Sequence, residues 1–211
     1  VWDRVRCRVD SKSRRATMKN HTATHLLQAS LKSLLGDHVK QAGSLVSPEH
    51  LRFDFTNFSA LSESEIDGIE ALVNEKIQEN LPVITTVTDM KTAMESGATA
   101  LFGEKYGETV RVLTVPGFSS ELCGGTHCRA TGEIGLFTIV SEGSVASGIR
   151  RIEALTGTAA FHTLKEKAAE LKRIHELLKT DQAYPRLEKL LADLKVLEKD
   201  REASKAKTAA K

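Results

Sequence analysis

Two pairs of metal-ligating side chains constrain this 211-residue sequence more than any other feature: His21 with His25, and Cys123 with His127. Within each pair the spacing is four residues; between the pairs lie about a hundred. Residues at i and i+4 share one face of a helix, so both imidazoles of the first pair can reach a single ion. The second pair flanks Gly124 and Gly125, which let the backbone fold tightly around an ion. Two such half-sites meet only if the fold brings them together. One thiolate at about 2.3 Å and imidazoles at about 2.0–2.1 Å suit zinc best among common metals. Taken singly, the first pair is also what a helix carries by accident, and the second is also a tight turn with a buried Cys. Cys128, directly after His127, is a rival ligand. In zinc peptidases of the HExxH type the residue after the first His is the general base Glu; here it is Thr22, so a peptidase lacks its base.

The first pair falls in a predicted helix, capped by Asn20 and running from His21 to Leu35, where Gly36 stops it. The alternation Leu51-Arg52-Phe53-Asp54-Phe55 predicts a half-buried strand, with Leu45-Val46 ending the one before it. Ser62-Glu63-Ser64-Glu65 is a capping-box pattern opening a second helix through Glu79, closed by Pro82. Val110–Val115, Leu136–Val140 and Ile149–Leu155 are β-rich runs separated by Gly-containing turns. Strands and two long helices in this irregular order predict an α+β fold, a two-layer arrangement of sheet and helices, rather than regular βαβ units.

After Gly157 no glycine occurs, and Ala, Leu, Lys and Glu dominate. Two helices fit there, 158–179 and 185–205, with 180–184 as the turn and Pro185 in a permitted first-turn position. Leu187, Leu190, Leu194 and Leu197 alternate spacings of three and four, as a coiled-coil seam does. The reading is a helical hairpin that packs on itself or on a partner, with 203–211 a frayed end.

Charge is segregated. Residues 1–20 carry a net +5, residues 21–157 a net −7 and residues 158–211 a net +4, within an overall +2. Basic flanks attract polyanions by releasing counterions, which suits a nucleic-acid partner and equally an ordinary solvated surface. No apolar stretch approaches the ~20 residues that span a bilayer, so no membrane role is expected. The N-terminus VWDRVRCRVD has neither an apolar signal core nor an initiating Met, and reads as mid-protein. Three cysteines cannot close into a full set of bridges, and all can be reduced thiols in the cytoplasm.

Several blocks, in consistent order, resemble the editing domain of bacterial-type alanyl-tRNA synthetases: NHTATHLL at 20–27, GSLV at 43–46 with LRFDF at 51–55, LFGEKY at 101–106, ELCGGTH at 121–127, GEIGLF at 132–137 and GIRRIEALTG at 148–157. The zinc blocks are also similar to those of AlaX-type trans-editing proteins and, more distantly, of threonyl-tRNA synthetase editing domains. The resemblance implies that residues 1–18 end a preceding β-rich subdomain, that 19–157 form a zinc-dependent deacylase domain, and that 158–211 are the helical segment leading towards dimerisation. It implies Zn2+ held by His21, His25, Cys123 and His127, an editing pocket that includes Thr22 and Gln41, and bound RNA near Arg150 and Arg151. Arg52 and Arg150, within strand-like runs, read equally well as structural ion-pair partners.

The activity so implied is hydrolysis of the ester joining serine or glycine to the tRNA for alanine, a proofreading step in translation. A synthetic pocket shaped for alanine excludes neither glycine nor serine strongly, so a second, hydrolytic site is needed. Zinc with four protein ligands is normally a closed structural shell, which favours an organising and electrostatic role with water positioned by groups such as Gln41. Thr22, beside His21, is placed by sequence to bond the serine hydroxyl. Two rivals remain: a non-catalytic tRNA-binding and oligomerisation module with structural zinc, and a free-standing deacylase, against which the coiled-coil tail speaks. No ATP-binding motif is present, so aminoacylation is not expected from this piece.

Overall fold

The computed structural model describes residues 4–100 and 107–209; the LFGEKY block at 101–106 lies outside the described residues. In chain order the elements are α1 (Ser11–Leu35), β1 (Gln41–Val46), β2 (Leu51–Thr56), α2 (Glu63–Gln78), β3 (Ile84–Asp89), α3 (Met90–Glu95), β4 (Thr109–Val115), β5 (Ser119–Leu122), a short 3-10 turn (Thr131–Ile134), β6 (Phe137–Ala146), β7 (Ile149–Thr156), α4 (Gly157–Leu178) and α5 (Ala183–Ala209). The fold is α+β, with two antiparallel sheets rather than one.

Helix α1 starts ten residues before the expected His21. Its cap is Asp10, whose carboxylate accepts the Ser13 N–H at 2.7 Å, and the run SKSRRATMK contains no Gly or Pro to interrupt it. Residues 11–18, expected to end a β-rich subdomain, are therefore helical. Asn20 is buried inside the helix, not at its start. Its amide nitrogen donates to the Ser47 carbonyl at 2.8 Å and its oxygen accepts from the Thr156 hydroxyl at 2.7 Å, tying α1 to the sheet. Helix α2 has the expected reciprocal capping box between Ser62 and Glu65. Its chain reverses at Asn80, in a left-handed conformation with φ 51°, before Pro82 is reached.

The larger sheet has the order β1-β2-β7-β6. In β2, Leu51, Phe53 and Phe55 alternate onto the buried face; across the ladder Leu51 faces Ala154 and Phe53 faces Ile152. Against them pack Ala23, Leu26, Leu27 and Leu31 of α1 and Ile69, Val73 and Ile77 of α2, all buried. Each such aliphatic or aromatic side chain contributes about 1.5–3 kcal/mol on burial, which explains why both helices lie on this face.

The smaller sheet, β3-β4-β5, has its own cluster of Ala93, Ala98, Val110, Val112 and Leu122. Strand β4 is buried on both faces: Val110 and Val112 enter this cluster, while Val115 joins the main core. Residues 163–211 form a second compact unit. The boundary falls after His162 rather than at Gly157, because α4 begins inside the first unit with Ala160 fully buried. Within the second unit Leu187, Leu190, Leu194 and Leu197 are all exposed. Among the described residues no helix is long and apolar enough to cross a membrane.

Candidate metal centre

Helix α1 delivers two candidate ligands from one stripe, and the chain leaving β5 delivers the other two. One ligand atom from each of His21, His25, Cys123 and His127 lies within 4.8 Å of all the others. The Nε2 atoms of His25 and His127 are 3.2 Å apart, and Cys123 Sγ stands 3.4 Å from His21 Nε2 and 3.5 Å from His127 Nε2. Nδ1 of His127 is buried without a hydrogen-bond partner, so that ring engages only through the nitrogen aimed into the cluster. This group could hold a metal ion.

The electrostatics already favour ligation. Burial pushes the Cys123 thiol up, but hydrogen bonds from His127, His21 and His25 overcome this and bring its pKa down to about 3. Burial likewise opposes charge on His25, yet the Glu121 carboxylate and the Cys123 sulfur outweigh it and lift its pKa to about 9. The hydrogen bonds to the Cys123 sulfur thus favour its thiolate form, the form that binds a metal.

Glu121 was not foreseen. Its carboxylate bonds His25 Nδ1 at 2.7 Å in a buried pair, fixing the ring so that Nε2 points at the cluster, and Ser119 donates to its other oxygen at 3.0 Å. The signal was present in ELCGGTH. In an extended strand, residues two apart share a face, and Glu121 and Cys123 are two apart. Arg111 was also missed: it donates to the carbonyls of Gly124 at 3.2 Å and Gly125 at 2.7 Å, clamping the turn between the ligands. At Gly125 a Cβ would lie 2.1 Å from Cε1 of His21, whereas at Gly124 it would meet nothing within 4 Å. Only the second glycine is there to admit the imidazole.

The other expected residues fall in different places. Cys128, the rival ligand, is buried in the main core, and burial raises its thiol pKa above the usual value. Thr22, expected at the mouth of a pocket, is completely buried. Its hydroxyl donates to the Met18 carbonyl at 2.9 Å and accepts the Cys128 N–H at 3.0 Å, so it pins the ligand-bearing segment to α1. At i+1 from His21 it points about 100° away from the histidine stripe. Gln41 is half-buried at the start of β1 and lines a separate cavity next to α1. Arg150 and Arg151 are both held by carboxylates: Arg150 pairs with Glu142, and Arg151 makes two bonds of 2.7 Å to Asp54.

Residues 110–153 match the family model of the threonyl and alanyl tRNA synthetase second additional domain. The chain is 54% identical over 198 residues to the alanine–tRNA ligase of Thermotoga maritima, covering 93% of this chain and 23% of that enzyme. The chain corresponds to one region of the alanyl-tRNA synthetases. It is 49% identical over 211 residues to the enzyme of Solibacter usitatus, and 55% identical over 194 residues to that of Desulfosudis oleivorans. These alignments cover 99% and 91% of this chain, but 24% and 22% of the relatives. The chain thus spans about a quarter of the length of the alanine–tRNA ligases it matches.

Proposed function

We propose that this chain is a zinc-dependent aminoacyl-ester hydrolase that removes serine or glycine wrongly attached to the tRNA for alanine. The observation that carries the reading is the convergence of His21, His25, Cys123 and His127, within a chain of this family. Tetrahedral ligation at ordinary zinc bond lengths separates nitrogen pairs by about 3.3 Å and nitrogen from sulfur by about 3.6 Å. Three of the six separations, 3.2, 3.4 and 3.5 Å, match those values, in a cluster whose ligand atoms all lie within 4.8 Å of one another. A donor set of one thiolate and three imidazoles matches zinc rather than a hard cation.

When bound, zinc would supply positive charge to hold the substrate's amino group or polarise its ester carbonyl. The protein does the rest. Glu121 holds His25 in one orientation, Arg111 holds the Gly124-Gly125 turn, and Thr22 holds the segment after His127. Gln41, whose amide reaches Ser44 at 3.3 Å, is the group proposed to position the attacking water. Contact of Arg150 and Arg151 with the RNA backbone belongs to the same reading, made by guanidinium groups already anchored to Glu142 and Asp54. The exposed leucines of α5 are proposed to join two copies of the chain, in the cytoplasm.

One observation favours a second reading, a tRNA-binding module with purely structural zinc: four protein ligands leave no open position on a tetrahedral ion. Seryl- and glycyl-tRNA for alanine, incubated with the chain, separate the two. Hydrolysis of both esters with alanyl-tRNA spared, and its loss in Cys123→Ala, is the expected result. Intact mischarged tRNA bound tightly by a zinc-loaded chain would leave only the binding module.

A further inference from the structure

The first turns of α1, ahead of the metal ligands, border a cavity of about 530 Å³ that lies wholly within the first compact unit. Lys12, Arg15 and Lys19 line it, together with Pro48, Thr156, Thr158 and smaller residues. The three cations are spaced three and four apart, so they leave the helix as one stripe, about 10 Å long at ~1.5 Å per residue. At ~100° per residue, this stripe lies about 130° round the helix from that of His21 and His25. None of the lining residues carries a carboxylate, an aromatic ring or a side-chain amide.

Elsewhere in this unit cations are neutralised: Arg150 pairs with Glu142, Arg151 with Asp54, and Lys76 with Glu75 and Glu79. Among the described residues, none of the three cations in the cavity forms an ion pair. Asp10, which precedes them, engages its carboxylate with the Ser13 N–H at 2.7 Å. Like charges one turn apart on a helix repel, so an unpaired stripe weakens the bare fold, and a bound polyanion removes that repulsion. Gly157, left-handed at φ 53°, leaves room for one of the cations: a Cβ there would stand 3.1 Å from Lys19 Nζ. Helix α4 starts at this glycine, and Thr158 and Ala159 of its first turn, where N–H groups have no intrahelical acceptor, also line the cavity.

We propose that this cavity grips the sugar–phosphate backbone of a double-stranded RNA stem, without reading its sequence. Three unpaired cations spread along α1 suit a run of phosphates better than one phosphate ion. A single strand is gripped by stacking its bases on aromatic rings, and the cavity has none. Paired RNA is held instead through its phosphates and 2′-hydroxyls, for which lysine, arginine and threonine side chains suffice. The inference rests on the hydrolase reading for its choice of RNA as the polyanion, and it adds a grip on the stem from the side of α1 turned away from the histidines.

The test uses short, blunt RNA duplexes of two unrelated sequences, with binding to the full, zinc-loaded chain followed by fluorescence anisotropy over a range of salt. Wild type should bind both duplexes alike. Releasing one counterion is worth a factor of roughly 5 to 8 at about 0.1 M salt, so Lys12→Gln, Arg15→Gln and Lys19→Gln should each weaken binding by that much. Each should also reduce the slope of affinity against salt by about one. Lys91→Gln, which removes the same charge from α3, should change neither quantity. Thr158→Asp sets a carboxylate in the cavity at a helix start, where acidic residues favour the helix, so binding lost in that variant is not lost folding. Failure of wild type to bind either duplex, a strong preference between them, or an equal loss in Lys91→Gln overturns the proposal. Polyglutamate bound as tightly, with the same response to the variants, would give the cavity to an acidic protein instead. The duplexes carry no ester. Duplex binding through these residues in a chain that hydrolyses no mischarged tRNA would sustain the grip and sink the hydrolase; hydrolysis with duplex affinity untouched by the variants would do the reverse.

Discussion

Replacing Gly125 by Ala places a methyl group inside the space of the His21 ring. The new Cβ would stand 2.1 Å from Cε1 and 2.5 Å from Nδ1. Ordinary carbon contact begins near 3.4 Å, so either the ring or the turn must give by about 1.3 Å. Metal–ligand bonds tolerate only about 0.2 Å, so His21 cannot remain a ligand in its present place. Even disturbing a residue that merely orients a ligand typically costs 10–100-fold in metal affinity, and displacing a ligand should cost at least about 100-fold. The backbone at residue 125 is not left-handed, so the methyl clash is the only strain introduced. Gly124→Ala is the matched control: it carries the same loss of chain entropy in the unfolded state but meets nothing within 4 Å. Zinc affinities of the two variants, measured by competition against a chelator, should differ by about 100-fold, with Gly124→Ala close to wild type. Equal affinities would refute the reasoning and with it the assignment of His21 to the metal.

Other consequences follow from the same geometry. Glu121→Gln keeps the shape beside His25 but removes the charge, and should lower zinc affinity by about 10-fold or more in the same competition assay. Thr22→Val strands the buried Cys128 N–H and should destabilise the chain by about 1–3 kcal/mol in urea denaturation; seryl and glycyl esters should then slow alike, and a loss confined to serine would return Thr22 to the pocket. The Arg151 hydrogen bonds hold the Asp54 carboxyl below its usual pKa, so this pair stabilises the fold above the ordinary carboxylate range and its contribution fades as pH falls. Wild type should therefore exceed Arg151→Met in stability at pH 7 and approach it near pH 3; a constant difference would mean that packing, not charge, is lost. A chain ending at His162 should sediment as a monomer and the full chain as a dimer, and equal monomeric masses would confine α4 and α5 to contacts within one chain.

The elements that the sequence made legible are those with a strong period or a cap. Phe53 and Phe55 announce β2, Ser62 and Glu65 announce α2, and the glycine-free stretch announces α4 and α5. The start of α1 is not legible locally because Asn20 looks like a cap. Its buried bonds to Ser47 and Thr156 depend on β7, and a local pattern cannot show them. Strand β3 was passed over because Ile84 to Asp89 present mostly exposed threonines, and β5 because Ser-Ser-Glu-Leu has no apolar alternation. The four converging side chains are visible in the sequence as two spaced pairs. What spacing could not choose was Cys123 over Cys128; the choice comes from the packing of Cys128 into the main core, where its N–H is held by Thr22. Glu121 acquires its role only through His25, a partner remote in sequence.

Helix α1 packs beneath the larger sheet, while Cys123 and His127 follow the last strand of the smaller one, so an ion held by all four ligands is a cross-link between layers. The covalent analogue, a bridge closing about a hundred residues, removes roughly 4–5 kcal/mol of unfolded-chain freedom, comparable to the whole net stability of many domains. Apart from this centre, α1 is joined to the ligand segment by few polar ties, such as that of Thr22 to Cys128. The two sheets are therefore unequal in their dependence on metal. The larger has a core of its own and can assemble first, whereas β3, β4 and β5 enclose a smaller cluster, join the main core through Val115, and would gain a further tie to α1 from the ion. Amide hydrogens of β5 should accordingly exchange faster after chelation of a bound ion than those of β2, so the smaller sheet is where loss of the metal would first be felt.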